Sequence, residues 1–280
     1  MQSKNFINHT LTYFQDARHF QIAYLSSFLL LGILLLGWQQ HLAQYILVIS
    51  TALFTQALGA KFIAKQNISL KSAFITSLGL CLLLHTNHYY TAIIAAFVAI
   101  AGKFLIRYKG KHIFNPVNFG IVIMLIFSND AWISPGQWGN HLIVLFAVGI
   151  LGFLVLKKVN RLDASITFIL VFCGLNFIRS VIYLGWTPDV FYHQISSGTL
   201  VLFTFFMITD PMTTPNHRKA RIIWVSLIAI VAFIVSNYVY IFAAPIWVLF
   251  FASPLTPVFD KIFTAQKFEW NQSKSILNFK

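Results

Sequence analysis

Tyr89-Tyr90-Thr91-Ala92-Ile93-Ile94-Ala95-Ala96-Phe97-Val98-Ala99-Ile100-Ala101-Gly102-Lys103-Phe104-Leu105-Ile106-Arg107-Tyr108-Lys109-Gly110-Lys111 reads as an apolar run that ends in cations. Residues 89–106 hold no charge except Lys103, close to the end. A helix rises about 1.5 Å per residue, so this run covers most of the ~30 Å hydrocarbon core of a bilayer. Lys103, Arg107, Lys109 and Lys111 then crowd one end. That is the pattern of a spanning helix anchored on its cytoplasmic side.

The same pattern repeats outward in both directions. Further apolar runs cover roughly 20–38, 43–64, 70–84, 114–128, 141–156, 164–184, 193–209, 221–237 and 239–259. The runs at 70–84 and 114–128 are short and merge into their loops. The connecting segments are brief and hold most of the Gly, Pro, Asn and charge. The expected fold is all-α, a polytopic integral membrane protein of about ten transmembrane helices. A tail over 1–19, one membrane domain over 20–260 and a second tail over 261–280 account for the 280 residues.

Composition supports lipid as the solvent. The chain is 58% hydrophobic and 10% charged, with mean hydropathy +0.74. Soluble domains carry about 25% charged residues, so polar surface is too scarce to cover a globule in water. The 29 Phe suit lipid contact, and aromatic rings also suit a flavin or quinone pocket. The first run follows a polar start and has no small-residue cleavage site, so it reads as a retained helix rather than a signal peptide.

The net charge is +13, and its distribution excludes nucleic acid as the explanation. With the N-terminus inside, 19 of the 20 Lys and Arg fall in segments on the cytoplasmic side. A miscounted helix would invert the downstream half and mix the charges. The expected setting is a bacterial inner (plasma) membrane with both termini cytoplasmic. The remaining cation is Arg179, inside the run 164–184 toward its outer end. It either snorkels to headgroups or faces a pocket or an anionic cofactor.

All seven acidic residues lie in loops, at helix ends or in tails. Carboxylates at membrane depth are the usual proton relays of pumps, so this chain lacks the elements of an autonomous proton pump. Cys81 and Cys173 lie far apart in apolar runs, and read as inert thiols rather than metal ligands. His85 and His88 share one outer loop, but two ligands without carboxylate or thiolate are weak grounds for a metal.

Two cytoplasmic loops carry proline motifs. One is Lys109-Gly110-Lys111-His112-Ile113-Phe114-Asn115-Pro116. The other is Phe205-Phe206-Met207-Ile208-Thr209-Asp210-Pro211-Met212-Thr213-Thr214-Pro215. As punctuation, Asn115 caps a helix whose first turn holds Pro116, and Asp210-Pro211 ends one. As function, a helix N-terminus beneath a cluster of cations is suited to an anion such as a cofactor phosphate. Asp210 faces the same side. The candidate binding residues are Lys103, Asn115, Pro116, Thr209, Asp210, Pro211 and Thr214, with Arg179 as an outer candidate.

In order and spacing these two motifs, with the Lys71-Ser72-Ala73-Phe74-Ile75-Thr76-Ser77-Leu78 opening of another run, resemble the NqrB/RnfD family of membrane electron-transport subunits. The stretch Arg107-Tyr108-Lys109-Gly110-Lys111-His112 is most similar to its UnbU-like branch, associated with enediyne biosynthesis clusters. The resemblance, over roughly 70–225, implies a ten-helix fold of two inverted halves that moves electrons through flavin across the membrane. In the family a threonine on the outer side, before the sixth helix, carries FMN by a phosphoester. Here Ser134-Pro135-Gly136-Gln137-Trp138-Gly139-Asn140-His141 places Asn140 or His141 at that position. Covalent FMN is therefore not expected, and FMN or riboflavin would be held non-covalently or carried by a partner. The expected partners are the lipid bilayer and other membrane redox subunits or biosynthetic proteins. Two alternatives stand beside electron transfer: an ion or small-solute transporter of the same fold, and a non-catalytic membrane scaffold.

Overall fold

A computed structural model describes residues 16–64, 69–133, 152 and 160–268. Helix α1 (Ala17–Leu35) starts at Asp16, whose carboxylate accepts the Arg18 N–H. Helix α2 (Leu42–Leu58) continues as a π-helical stretch, Gly59–Ala64. Helix α3 (Lys71–Leu83) is short and largely buried, and α4 follows at Tyr89–Leu105. Helix α5 (Pro116–Phe127) begins on a side-chain cap: Asn115 Oδ1 accepts the Asn118 N–H, with Pro116 in the first turn. Helix α6 spans Leu162–Tyr183.

Next come α7 (Pro188–Ile195) and α8 (Gly198–Met207), bent by 58° at their junction. Helix α9 (Arg218–Tyr238) leads to α10 (Ala244–Ala252), which passes through a 3-10 turn at Ser253–Leu255 into α11 (Thr256–Ile262). The strands are two-residue pieces. β1 (His85–Thr86) pairs antiparallel with β4 (Ala131–Trp132), and β2 (Arg107–Tyr108) with β3 (Lys111–His112).

The molecule is thus an all-α, multi-pass membrane protein, and most of the expected runs return as helices at nearly the expected places. Among the described residues, four helices are each long and apolar enough to cross a membrane, and the bent pair, taken together as one span, would be a fifth. Helices α3, α4 and α5 are apolar but shorter. Two expectations need correction. The run 193–209 is not one helix: Ser196 and Ser197 interrupt it, and Ser197 Oγ caps α8 by accepting the Leu200 N–H. The last span starts at Ala244 rather than 239, because Tyr240 and Ala243 take positive φ and break the helix. The run 141–156 and Ser134–His141 lie outside the described residues, apart from Gly152.

Ion pairs and hydrogen bonds gather the expected cytoplasmic segments at one end of the bundle, called here the cationic end. Lys71 bonds Asp16 at 3.0 Å, Lys111 bonds Asp260 at 2.9 Å, and Arg221 bonds Asp163. At the opposite end, Asp130 accepts from Thr91 Oγ1 at 2.6 Å and meets His88 Nδ1 at 2.8 Å. His85 pairs with Trp132 across β1 and β4. The Asp130 carboxyl is held well below its usual range, first by the Thr91 hydrogen bond. Among the described residues no three metal-ligating side chains cluster.

Helices α5 and α10 each hold a proline in the first turn, Pro116 and Pro245, and run in opposite directions. α11 returns Asp260 to the cationic end, where α5 starts. Their first turns touch, with Asn118 Nδ2 donating to the Ile246 carbonyl at 2.8 Å. Helix α5 lies close on α4 because Gly120 has no side chain: a Cβ there would meet the Ala95 carbonyl and the Ala99 Cβ, each at 2.9 Å. Backbone cannot move aside cheaply, so Gly120→Ala should cost about 1–3 kcal/mol. Thermal unfolding in detergent would measure it, and an unchanged midpoint would refute the close approach.

Candidate functional site

The hairpin β2–β3 sorts side chains by its two-residue period. Its turn is Lys109-Gly110, both at positive φ (46° and 78°), as a tight two-residue hairpin turn requires. Arg107 and His112 are cross-strand partners, so they share a face, and both line a cavity of about 250 Å³. Tyr108 and Lys111, the other pair, line a separate surface cleft.

The cavity lies between the two proline motifs. Asn115 and Pro116 form one wall, and Asp210 and Pro211 another. The motifs meet directly, Asn115 Nδ2 donating to Asp210 Oδ2 at 3.2 Å. Asp210 Oδ1 accepts the Met212 N–H at 3.0 Å, and His112 Nε2 stands 3.7 Å from Oδ2. Burial alone would raise the Asp210 pKa. The bond and charge of His112, the Met212 N–H and the charge of Lys111 outweigh it, so the pKa is lowered and Asp210 is a carboxylate at neutral pH.

Lys103 reaches the cavity from the last turn of α4. Its ammonium donates to Gln56 Oε1 at 2.9 Å and Ser72 Oγ at 3.0 Å, both uncharged. An ammonium has three N–H donors, and the third has no acceptor among the described residues. Ser72 belongs to the first turn of α3, and Asn115 caps α5, so two helix N-termini add positive potential. Arg18 and Arg107 also line the cavity. Apolar surface comes from Phe104, Phe206, Val117 and Leu25.

Two π-helical stretches shape the walls. Gly59–Ala64 places Ala60 and Ala64, and Phe203–Met207 places Phe206 and Met207. Such insertions widen a helix by a residue and occur often at functional sites.

The other candidates fall elsewhere. Thr209 Oγ1 donates to the Phe205 carbonyl at 2.7 Å, and Thr214 Oγ1 to the Asp210 carbonyl at 2.9 Å. These hydroxyls tie down the loop that presents Asp210. Arg179 lies near the opposite end of the bundle, its guanidinium 5.2 Å over the Tyr238 ring and 3.5 Å from the Asn237 carbonyl.

Gln56, Ser72, His112, Arg18 and Arg107 are cavity residues absent from the expected set. Their signal is weak: Gln56 is one of several polar residues in an apolar run, and His112 reads as a loop histidine. A further cavity of about 310 Å³ lies toward the other end, between α8, α9 and the start of α10, lined by Gln194, Thr199, Ser236 and Ala244 among others.

A model of the NQR2, RnfD, RnfE family matches residues 128–269, half of the chain. The matched region contains the Asp210 motif and stops short of Asn115. No curated protein matches the chain significantly.

Proposed function

The chain belongs to the NQR2, RnfD, RnfE family, and from that membership we propose that its cationic-end cavity holds a flavin, FMN or riboflavin, without a covalent bond. The chain is a membrane subunit of the electron-transport kind that this family supplies. The observation that carries the flavin reading is Lys103: an ammonium held by two neutral oxygens, with its third N–H available in a partly aromatic cavity.

The residues suit the group. At about 250 Å³ the cavity is just below the ~300 Å³ at which small-molecule pockets usually begin, enough for a ring system rather than a whole nucleotide. Phe104 and Phe206 offer apolar contact, Lys103 and Asn115 offer donors, and Arg107 at the exposed rim suits a phosphate-bearing tail. Bound flavin supplies one- and two-electron exchange. The protein's part is to bind it, orient it and limit water.

Asn140 and His141 offer no hydroxyl for a phosphoester, which supports the non-covalent form. Electrons would come from and pass to other redox subunits of a membrane complex. The expected site residues keep two roles in this reading: Lys103, Asn115, Pro116, Asp210 and Pro211 form the cavity, while Thr209 and Thr214 hold the loop. Arg179 is left to the outer side.

The test is purification in detergent, a visible spectrum, and titration with FMN and with riboflavin. Saturable uptake with quenched flavin fluorescence is expected. A colourless protein that takes up neither flavin, alone or with membrane partners, sinks the reading.

A transporter is the second reading. It is favoured by two cavities toward opposite ends, beside discontinuous helices whose first turns meet at Asn118 and Ile246. Flux into proteoliposomes above empty controls, without flavin, would favour it.

A further inference from the structure

Three stretches of chain wall a surface cleft of about 210 Å³ at the cationic end: the β2–β3 hairpin, the loop after Asp210, and α11 with the segment that follows it. The cleft gathers charge. Lys109 comes from the hairpin turn, Lys261 from the last turn of α11 and Lys267 from beyond it. Lys111 and Asp260 also line it, and they pair with one another. Lys111 Nζ has three acceptors: the Thr214 carbonyl at 2.9 Å, Asn216 Oδ1 at 3.3 Å and Asp260 Oδ2 at 2.9 Å. These match its three N–H groups. Asp260 Oδ1 accepts the Asn216 N–H at 2.8 Å. Among the described residues, the acidic side chain of the cleft is therefore already neutralised.

Lys109, Lys261 and Lys267 are exposed and have no acidic partner within 4 Å among the described residues. Lys267 lies over the hairpin turn. Its Nζ is 3.4 Å from the Lys109 carbonyl and 2.9 Å from where a Cβ on Gly110 would sit. The fold thus holds like charges around one concave surface, where they repel one another unless an anion lies among them. The flanks of the cleft are apolar. Leu255, Val258 and Ile262 recur at the spacing of one helical face, and each is more than half exposed. On the hairpin side Leu105 and Tyr108 are exposed, and a tyrosine suits the level of the lipid headgroups. Cations beside exposed apolar surface fit a molecule that carries both a phosphate and acyl chains.

We propose that this cleft binds the phosphate headgroup of an anionic phospholipid, with Lys109, Lys261 and Lys267 around the phosphate and the acyl chains along Leu255, Val258 and Ile262. Bound lipid ties the hairpin to α11. Each lysine near an anionic lipid contributes about fivefold in affinity, so the three together supply on the order of 100-fold. This site stands whether or not the neighbouring cavity holds flavin.

Native mass spectrometry of the full chain, stripped of lipid in detergent and titrated with phosphatidylglycerol or phosphatidylcholine, tests this. The wild type should prefer phosphatidylglycerol. The triple variant Lys109→Gln/Lys261→Gln/Lys267→Gln should bind that lipid roughly 100-fold more weakly and lose the preference. Substitutions at exposed positions seldom disturb folding. A control variant, Lys61→Gln/Arg218→Gln/Lys219→Gln, removes the same charge from exposed positions outside the cleft, and should keep most of the affinity. Equal weakening of the two triple variants overturns the proposal, since the attraction would then belong to the whole cationic end. Equal affinity of the wild type for the two lipids overturns it as well. Inorganic phosphate that displaces phosphatidylglycerol at millimolar concentration makes the cleft a site for a soluble anion and overturns the lipid assignment. If the cleft variant fails to accumulate, Lys261→Gln alone decides: a loss of about fivefold is expected, and unchanged affinity refutes the site.

Discussion

Lys103→Met is expected to lower flavin affinity by roughly 10- to 100-fold while leaving the fold as stable as before. A hydrogen bond to a charged group contributes about 1.5–3 kcal/mol, and each 1.4 kcal/mol is about tenfold in affinity. The stability effect should be small because the ammonium has no acidic partner at bonding distance. Gln56 Oε1 and Ser72 Oγ satisfy it, and an ammonium drawn from water toward neutral oxygens gains little. Methionine keeps the length and apolar stem of the side chain, so the packing against Phe104 survives. Lys103→Arg is no conservative rescue, since a planar fork cannot reproduce the two contacts of a compact ammonium. Fluorescence-quenching titrations with riboflavin, set beside thermal unfolding, separate the two effects. Equal affinity for Met and Lys proteins would remove Lys103 from the site. A large loss of stability would make it a structural residue.

The bundle was legible in the sequence because lipid leaves few options: apolar length gives helices and Lys/Arg distribution orders them. The loops were legible where backbone chemistry is strict. Asn115 before Pro116 announces a cap, and the cap is there. Asp210 before Pro211 announces a helix end, and α8 stops at Met207. What the chain could not announce is the meeting of these two loops across 95 residues, at 3.2 Å. Gln56 was invisible for a related reason. A polar side chain in an apolar run has many ways to be satisfied, and only packing of α2 against α4 selects Lys103. The break before α8 was missed because Ser196, Ser197 and Gly198 are tolerated inside spanning helices, so a capping serine looks like any other. Arg179 lies toward one end of its helix, and its neighbours Asn237 and Tyr238 come from a helix about 60 residues away in sequence.

Arg221→Met should be the most destabilising of these substitutions, by about 3–5 kcal/mol, the usual effect of removing one partner of a buried ion pair. Arg221 is 4% exposed. Its Nε donates to both Asp163 carboxylate oxygens, at 3.2 and 3.0 Å, and Nη1 donates to the Pro215 and Asn216 carbonyls, each at 3.1 Å. One guanidinium thus joins α9 to the head of α6 and to the end of the loop that carries Asp210. Removing it leaves the Asp163 carboxylate with Arg218, an exposed cation 3.9 Å away, and leaves two carbonyls without their donor. The double variant Arg221→Met/Asp163→Leu should regain part of the loss, because the stranded charge goes with its partner, but the carbonyls still lack a donor. Riboflavin affinity should follow the loop rather than the charge, and stay weakened in the double variant even where its unfolding midpoint recovers. Unfolding midpoints in detergent and riboflavin titrations on the wild type and the three variants, with Asp163→Leu as the third, give a double-mutant cycle. A double variant no more stable than Arg221→Met would show that the carbonyl contacts, rather than the ion pair, hold this end of the bundle together.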